Sequence, residues 1–95
     1  MAWIIEFHPD VQDDLDYLGA PTALRILKTI EDRIENGEPD KLGQPLRGIL
    51  SGFRKIRVGD TRIVYRVNKG ALEVLIIAVG ARKDKEVYQA AEKRL

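Results

Sequence analysis

Four cations and a tyrosine hold spacings suited to chemistry on a phosphate. Lys55 and Arg57 lie two residues apart, ahead of a Gly59-Asp60 pair, and Arg62 follows it. Side chains two apart on a strand share one face at about 6.6 Å. Gly59-Asp60 predicts a two-residue hairpin of the II′ kind. That register sets Val58 against Thr61, Arg57 against Arg62, Ile56 against Ile63 and Lys55 against Val64. Like charges directly opposite one another destabilise a sheet. A phosphate backbone would relieve that repulsion. The next strand is expected to return Arg82 to the same end, and Tyr88, six residues on, can fold back to stack on a base.

These residues need a scaffold. Trp3–Phe7 is β-branched and aromatic and reads as a strand. His8-Pro9-Asp10 then opens a helix whose early turns carry Asp10, Asp13 and Asp14, where the helix dipole favours acids. Val11, Leu15 and Leu18 form its apolar stripe, and Gly19 ends it. Pro21 opens a second helix with Leu24, Leu27, Ile30 and Ile34 on one face, ended by Gly37. Residues 38–52, with Pro39, Gly43, Pro45, Gly48 and Gly52, read as an irregular connection. Leu42, Leu46, Ile49 and Leu50 are expected to hold it to the core. Phe53–Val58, Thr61–Val67 and the strand after Lys69-Gly70 then form an antiparallel meander. A turn at Lys69-Gly70 sets Val67 against Leu72 and Arg66 against Glu73.

Both hairpins sort residues consistently. Ile56, Val58, Ile63, Tyr65, Val67, Leu72, Val74 and Ile76 share one face, the expected bed of the two helices. Phe53, Lys55, Arg57, Arg62, Val64, Arg66, Leu75 and Ile77 share the other. After Gly80 a polar loop, Ala81–Lys85, leads to a last helix capped by Asp84 and carrying Val87, Tyr88, Ala91 and Leu95. The expected fold class is α+β: an N-terminal strand, a helical hairpin, a three-stranded meander completing a four-stranded sheet, and a C-terminal helix. One domain over residues 1–95 fits this length.

Composition narrows the function. A 44% hydrophobic and 33% charged chain has neither a disordered nor a membrane composition. The absence of cysteine excludes disulfides and thiolate metal sites. The apolar run Trp3-Ile4-Ile5 is shorter than the roughly 7–15 residues of a signal peptide. A cytoplasmic protein without a membrane partner is therefore expected. His8, the one histidine, precedes a helix and reads as a cap or surface residue. No ligand spacing for a metal and no glycine-rich phosphate loop is present. Trp3 reads as core or interface rather than a base-stacking residue, and Tyr65 as core. The net charge of +1 conceals an asymmetry. Residues 1–40 hold ten acids and three bases, net −7, and residues 41–95 hold five acids and thirteen bases, net +8. Such a basic half calls for an anionic partner.

Pro45-Leu46-Arg47-Gly48, the run Phe53-Arg54-Lys55-Ile56-Arg57-Val58-Gly59-Asp60-Thr61-Arg62-Ile63-Val64-Tyr65-Arg66-Val67, Val79-Gly80-Ala81-Arg82-Lys83 and Glu86-Val87-Tyr88 resemble the RelE toxins of toxin–antitoxin pairs. The strand–Gly-Asp–strand pattern marks the wider RelE/ParE superfamily, and the added cations and tyrosine point to the RelE branch. The resemblance implies a small α+β domain that cleaves messenger RNA in the ribosomal A site without a metal or other cofactor. The 2′-hydroxyl attacks the adjacent phosphate, leaving a 2′,3′-cyclic phosphate and a 5′-hydroxyl. It implies as partners the ribosome with its message, and a cognate antitoxin that wraps the toxin and often displaces the last helix. Operator DNA would be met only through the antitoxin complex.

By resemblance, Lys55 and Arg57 match the family's paired basic positions, Arg62 its phosphate-holding arginine, Arg82 its leaving-group arginine and Tyr88 its C-terminal tyrosine. Cations around Lys55 disfavour one more positive charge and make it a candidate general base, with Tyr88 as a rival base or a stacking orienter. Arg57 and Arg62 can stabilise charge growing on the phosphorane. Arg47, Arg54, Arg66, Lys83 and Lys85 are expected to touch the RNA backbone. Ala81 and Asp84 stand where some members are basic, and the Val58–Arg62 turn is shorter than in some relatives. Two other functions stay open: a ParE-like inhibitor of DNA gyrase without nuclease activity, and an inactive or regulatory module that binds a partner peptide and, only as that complex, operator DNA.

Overall fold

The computed structural model describes residues 2–81 and 86–95. In chain order they form β1 (Ile4–Phe7), α1 (Val11–Leu18), α2 (Ala20–Thr29) continuing as a π-helical segment (Ile30–Glu35), β2 (Gln44–Pro45), a 3-10 turn (Gly48–Leu50), β3 (Phe53–Val58), β4 (Thr61–Asn68), β5 (Glu73–Ala81) and α3 (Glu86–Lys93). The α+β class is as expected, but the sheet has five strands, not four, in the order β1-β5-β4-β3-β2. The parallel pairing of β1 with β5 makes it a mixed sheet. The additional strand is β2, where Gln44 and Pro45 pair with Lys55 and Arg54 inside the expected irregular connection. A two-residue strand holding a proline carries no alternating pattern, and proline is tolerated only at such an edge.

The first hairpin has the expected register, from Val58 against Thr61 to Lys55 against Val64. Gly59 has φ +58 while Asp60 keeps an ordinary negative φ, as a II′ turn requires. The second hairpin differs. Its loop is the four residues Lys69–Leu72, so Val67 faces Val74 and Arg66 faces Leu75, two residues beyond the expected register. The loop closes through the Leu72 N–H donating to the Lys69 carbonyl at 3.2 Å, with Leu72 at φ +53. A two-residue shift keeps the β5 side chains on their expected faces, because the strand period is two, but Leu72, expected on the helix-covered face opposite Val67, falls in the loop and is exposed. A bulge then follows: Tyr65 faces Ile76 and Val64 faces Ala78, leaving Ile77 of β5 without a partner on β4. One extra residue restores the chain to the turn end, where Arg62 faces Gly80 and Thr61 faces Ala81.

Helices cover both faces. On one, α1, α2 and the π-helical segment bury Val11, Leu15, Ile26, Ile30 and Ile34 against Ile56, Ile63, Tyr65, Val74, Ile76 and Val79. The second helix presents a different stripe from the expected one. Ile26 is fully buried, whereas Leu24 is 68% exposed. The sequence holds two overlapping apolar stripes on this helix, and docking on the sheet selects 26/30/34. The helix also changes winding: the Asn36 N–H donates to Glu31, five residues back, at 3.1 Å. On the other face, α3 buries Val87 and Ala91 against Leu50, Phe53, Val64, Ile77 and Ala78. The apolar part of the face expected to be cationic is thus occupied by the chain's own last helix. Ile49, expected in the core, is exposed, and its 3-10 neighbour Leu50 is buried instead.

Arg94, just past α3, joins the layers. Its guanidinium grips Asp14 of α1 with two bonds of 2.7 and 2.9 Å and donates to the Ile77 carbonyl at 2.9 Å. Asp14 also accepts from the Val79 N–H at 3.0 Å. β1 reaches only as far as Ile76, so these β5 groups lie past its cover. The clasp supplies the partners that buried backbone groups require.

Candidate nucleic-acid interface

Along the face beneath α3, side chains form three cross-strand rows. Nearest the Gly59 turn stand Arg57 and Arg62, then Lys55 with Val64, then Phe53 with Arg66. The two-residue turn makes Val58/Thr61 a hydrogen-bonded pair, so by alternation Arg57/Arg62 is a non-hydrogen-bonded pair, with its side chains closest. Lys55 and Arg62 are half-buried and Arg57 is exposed. Two glycines bring the flanking elements in. A Cβ at Gly43 would collide with the Lys55 carbonyl oxygen, so only glycine lets this loop touch β3. A Cβ at Gly80 would lie 3.0 Å from the Val87 Cβ, so its absence lets α3 settle beside Arg62.

That approach sets Tyr88 over the site. Lys55 Nζ lies 5.4 Å from the centre of the Tyr88 ring, a cation–π distance. The Tyr88 hydroxyl is buried and makes no hydrogen bond among the described residues. Lys55, Arg57, Arg62 and Tyr88 are therefore brought together at one end of the sheet. Arg82, Lys83 and Lys85, and the expected Asp84 cap, lie outside the described residues. β5 ends with Ala81 beside Thr61, which delivers the chain to this end.

The remaining predicted residues separate. Arg66 lies over the Phe53 ring at 5.6 Å, at the far end of the same face. Arg47 is exposed at the start of the 3-10 turn. Arg54 turns to the opposite face, where Nε donates to the Leu42 carbonyl at 2.8 Å and Nη2 to that of Gly43 at 3.3 Å. The buried Tyr65 hydroxyl is shared between the Pro39 carbonyl at 2.9 Å and the Leu42 carbonyl at 3.0 Å. Arg54 and Tyr65 thus pin the connection that carries Gly43 against Lys55. His8 behaves as a cap, its Nδ1 accepting from the Asp10 N–H at 3.1 Å.

The structure adds residues that the sequence reading omits. A cavity of about 260 Å³ opens where β2 stops and the outer edge of β3 is left bare. Its lining joins Lys55, Arg57 and Arg62 with Gln44 and with Arg33 of the π-helical segment. Arg25, two helical turns earlier, aims at the same end: its Nη1 would lie 3.1 Å from a Cβ on Gly59. Nothing local marks these residues, because Arg25 and Arg33 belong to the acidic N-terminal part of the chain. Among the described residues no group of three or more His, Asp or Glu side chains converges to hold a metal ion.

A mixed sheet between helical layers, with cations crowded around one hairpin tip, defines a small α+β protein with a cationic end. Residues 5–86 match the family model described as the ParE toxin of the type II toxin–antitoxin system parDE, and the chain belongs to this family. Similar curated proteins and solved structures include RelE toxins of the wider RelE/ParE superfamily. The chain is 29% identical over 96 residues to the mRNA interferase toxin RelE of Escherichia coli K12, covering 100% of this chain and 99% of that one. A mutant of Escherichia coli RelE in the free state superposes with a TM-score of 0.78 at 26% identity, covering 100% and 99% of the two chains. The RelBE2 toxin–antitoxin complex of Mycobacterium tuberculosis gives 0.79 at 25% identity, covering 88% and 95%.

Proposed function

We propose that the protein is the toxin of a type II toxin–antitoxin pair, a single RelE-like domain that cleaves ribosome-bound messenger RNA in the cytoplasm. The observation that carries this reading is the convergence of Lys55, Arg57 and Arg62 with the Tyr88 ring set over Lys55. The names of its full-length relatives point the same way. Its partners are the ribosome with its message and a cognate antitoxin, with operator DNA met through the antitoxin complex. No helix among the described residues is long and apolar enough to cross a membrane.

In this reading the 2′-oxygen bonds to the adjacent phosphorus as the bond to the 5′-oxygen breaks. Lys55 takes the 2′-hydroxyl proton. Arg57 and Arg62, already crowded, gain most when charge grows on the phosphoryl oxygens, so they favour the transition state over the ground state. Arg82 neutralises the leaving 5′-oxygen and gives it a proton. The Tyr88 ring holds Lys55 and offers a stacking surface to the base. The products are a 2′,3′-cyclic phosphate and a 5′-hydroxyl.

Primer extension on message in a translation extract tests this. The purified protein should cut the ribosome-bound message, and Arg62→Ala should slow cutting about 10²–10³-fold. Uncut message overturns the reading. The family model's ParE description favours one alternative, a gyrase inhibitor. Loss of gyrase supercoiling with intact RNA would establish that alternative.

A further inference from the structure

We propose that the cavity at the bare edge of β3 is a second phosphate subsite. Arg33 and Gln44 would hold there a phosphodiester that is not cut. The proposal rests on the nuclease reading, since it concerns how the same site grips RNA. The cavity runs from the Lys55, Arg57 and Arg62 side chains around the end of β2 to Arg33 on the opposite, helix-covered side of the sheet. Its volume of about 260 Å³ accommodates a phosphate with its adjoining sugar atoms, not a whole nucleotide chain.

Three kinds of donor converge there. Arg33 supplies a guanidinium, which matches phosphate geometry with paired N–H groups. Gln44 supplies a side-chain amide. The backbone of Arg57 supplies the third. The Lys55 carbonyl faces outward against Gly43, and strand alternation turns the peptide groups of Arg57 to the same edge, beyond the end of β2.

Arg33 and Arg25 stand eight residues apart on one side of the helical hairpin. Both approach the β3–β4 hairpin end from the face opposite Lys55 and Arg57. Among the described residues neither forms an ion pair with a carboxylate, whereas their neighbour Lys28 lies 3.4 Å from Asp32. An RNA backbone bound across Arg57 and Arg62 would therefore continue around the sheet edge onto arginines already placed for it. The phosphate is that of the message or of ribosomal RNA, which present the same chemistry.

Equilibrium binding to ribosomes decides between these sources. The ligands are empty ribosomes and ribosomes carrying a message 2′-O-methylated at the cutting position, each measured across a salt series. Arg33→Gln should weaken binding about tenfold and flatten the logarithmic salt slope by about 0.7, as loss of one single-strand phosphate contact does. Arg33→Lys should retain most of the slope. A purely structural role would lower the melting temperature and leave the salt slope unchanged. A deficit only on programmed ribosomes assigns the phosphate to the message, and an equal deficit on both assigns it to ribosomal RNA. Parental affinity and slope in Arg33→Gln overturn the subsite, even if the parent cuts message. A parent that binds yet never cuts unmodified message overturns the nuclease reading while the Arg33 comparison still stands.

Discussion

At the residue scale, the site depends on groups that hold it from behind. Tyr65 is fully buried, and its hydroxyl bonds the Pro39 and Leu42 carbonyls. Burial raises its pKa above the ordinary 10.0, with the Arg54 and Arg33 charges pulling the other way. A group whose folded pKa is raised adds stability below its unfolded pKa and loses it as pH climbs through the folded value. The Tyr65 contribution is therefore intact at neutral pH and fades above about pH 10. Urea titrations of Tyr65→Phe should show a loss of about 1–2 kcal/mol at pH 8 and a smaller further loss than the parent by about pH 11. Equal further losses would remove Tyr65 from the alkaline transition. Lys55, Arg57 and Arg62 were legible in the sequence because a two-residue turn dictates register. Arg33 and Gln44 were not, because they reach the site through packing between elements distant in the chain.

At the element scale, α3 determines whether Tyr88 meets Lys55, and Arg94 fastens α3. The paired bonds to Asp14 and the bond to the Ile77 carbonyl span from α3 through β5 to α1. The clasp holds Arg94 above its usual pKa, first through the Asp14 hydrogen bonds. Removing one member leaves the other largely buried and uncompensated. Arg94→Ala should cost about 2 kcal/mol by urea denaturation. It should also reduce cleavage more than a remote substitution of equal cost, because α3 carries Tyr88. Arg94→Lys keeps the charge but loses the paired geometry, and should recover only part of both. Unaltered cleavage in Arg94→Ala would show that α3 stays in place without the clasp. The bulge at Ile77 that creates these contacts has no local signature. Val74–Val79 is uniformly apolar, and only the four-residue loop behind it and the fixed position of Arg62 demand an extra residue.

At the scale of the whole molecule, the charge asymmetry has an observable consequence. The −7 and +8 halves of the sequence do not become two clean surfaces, because Arg25 and Arg33 of the acidic half turn toward the cationic end. Ribosome association should therefore fall steeply with salt although the net charge is only +1. The three phosphate contacts proposed for Arg57, Arg62 and Arg33 predict a logarithmic slope near −2 or steeper, at about −0.7 per contact. A flat salt series would mean that apolar contacts, not phosphates, hold the complex.

Sequence alone determined the α+β class, the first hairpin's register, the sorting of its side chains and the grouping of Lys55, Arg57 and Arg62. These follow from short-range rules: the strand period of two, the demands of a glycine turn and the placement of helix stops. Only the tertiary structure decided the second hairpin's register, the fifth strand, the buried stripe of α2, the placing of α3 over the apolar half of the cationic face and the entry of Arg33 into the site. Each of these is a choice among local alternatives of similar energy. The selection comes from close packing between elements far apart in the chain, which no short window of sequence contains.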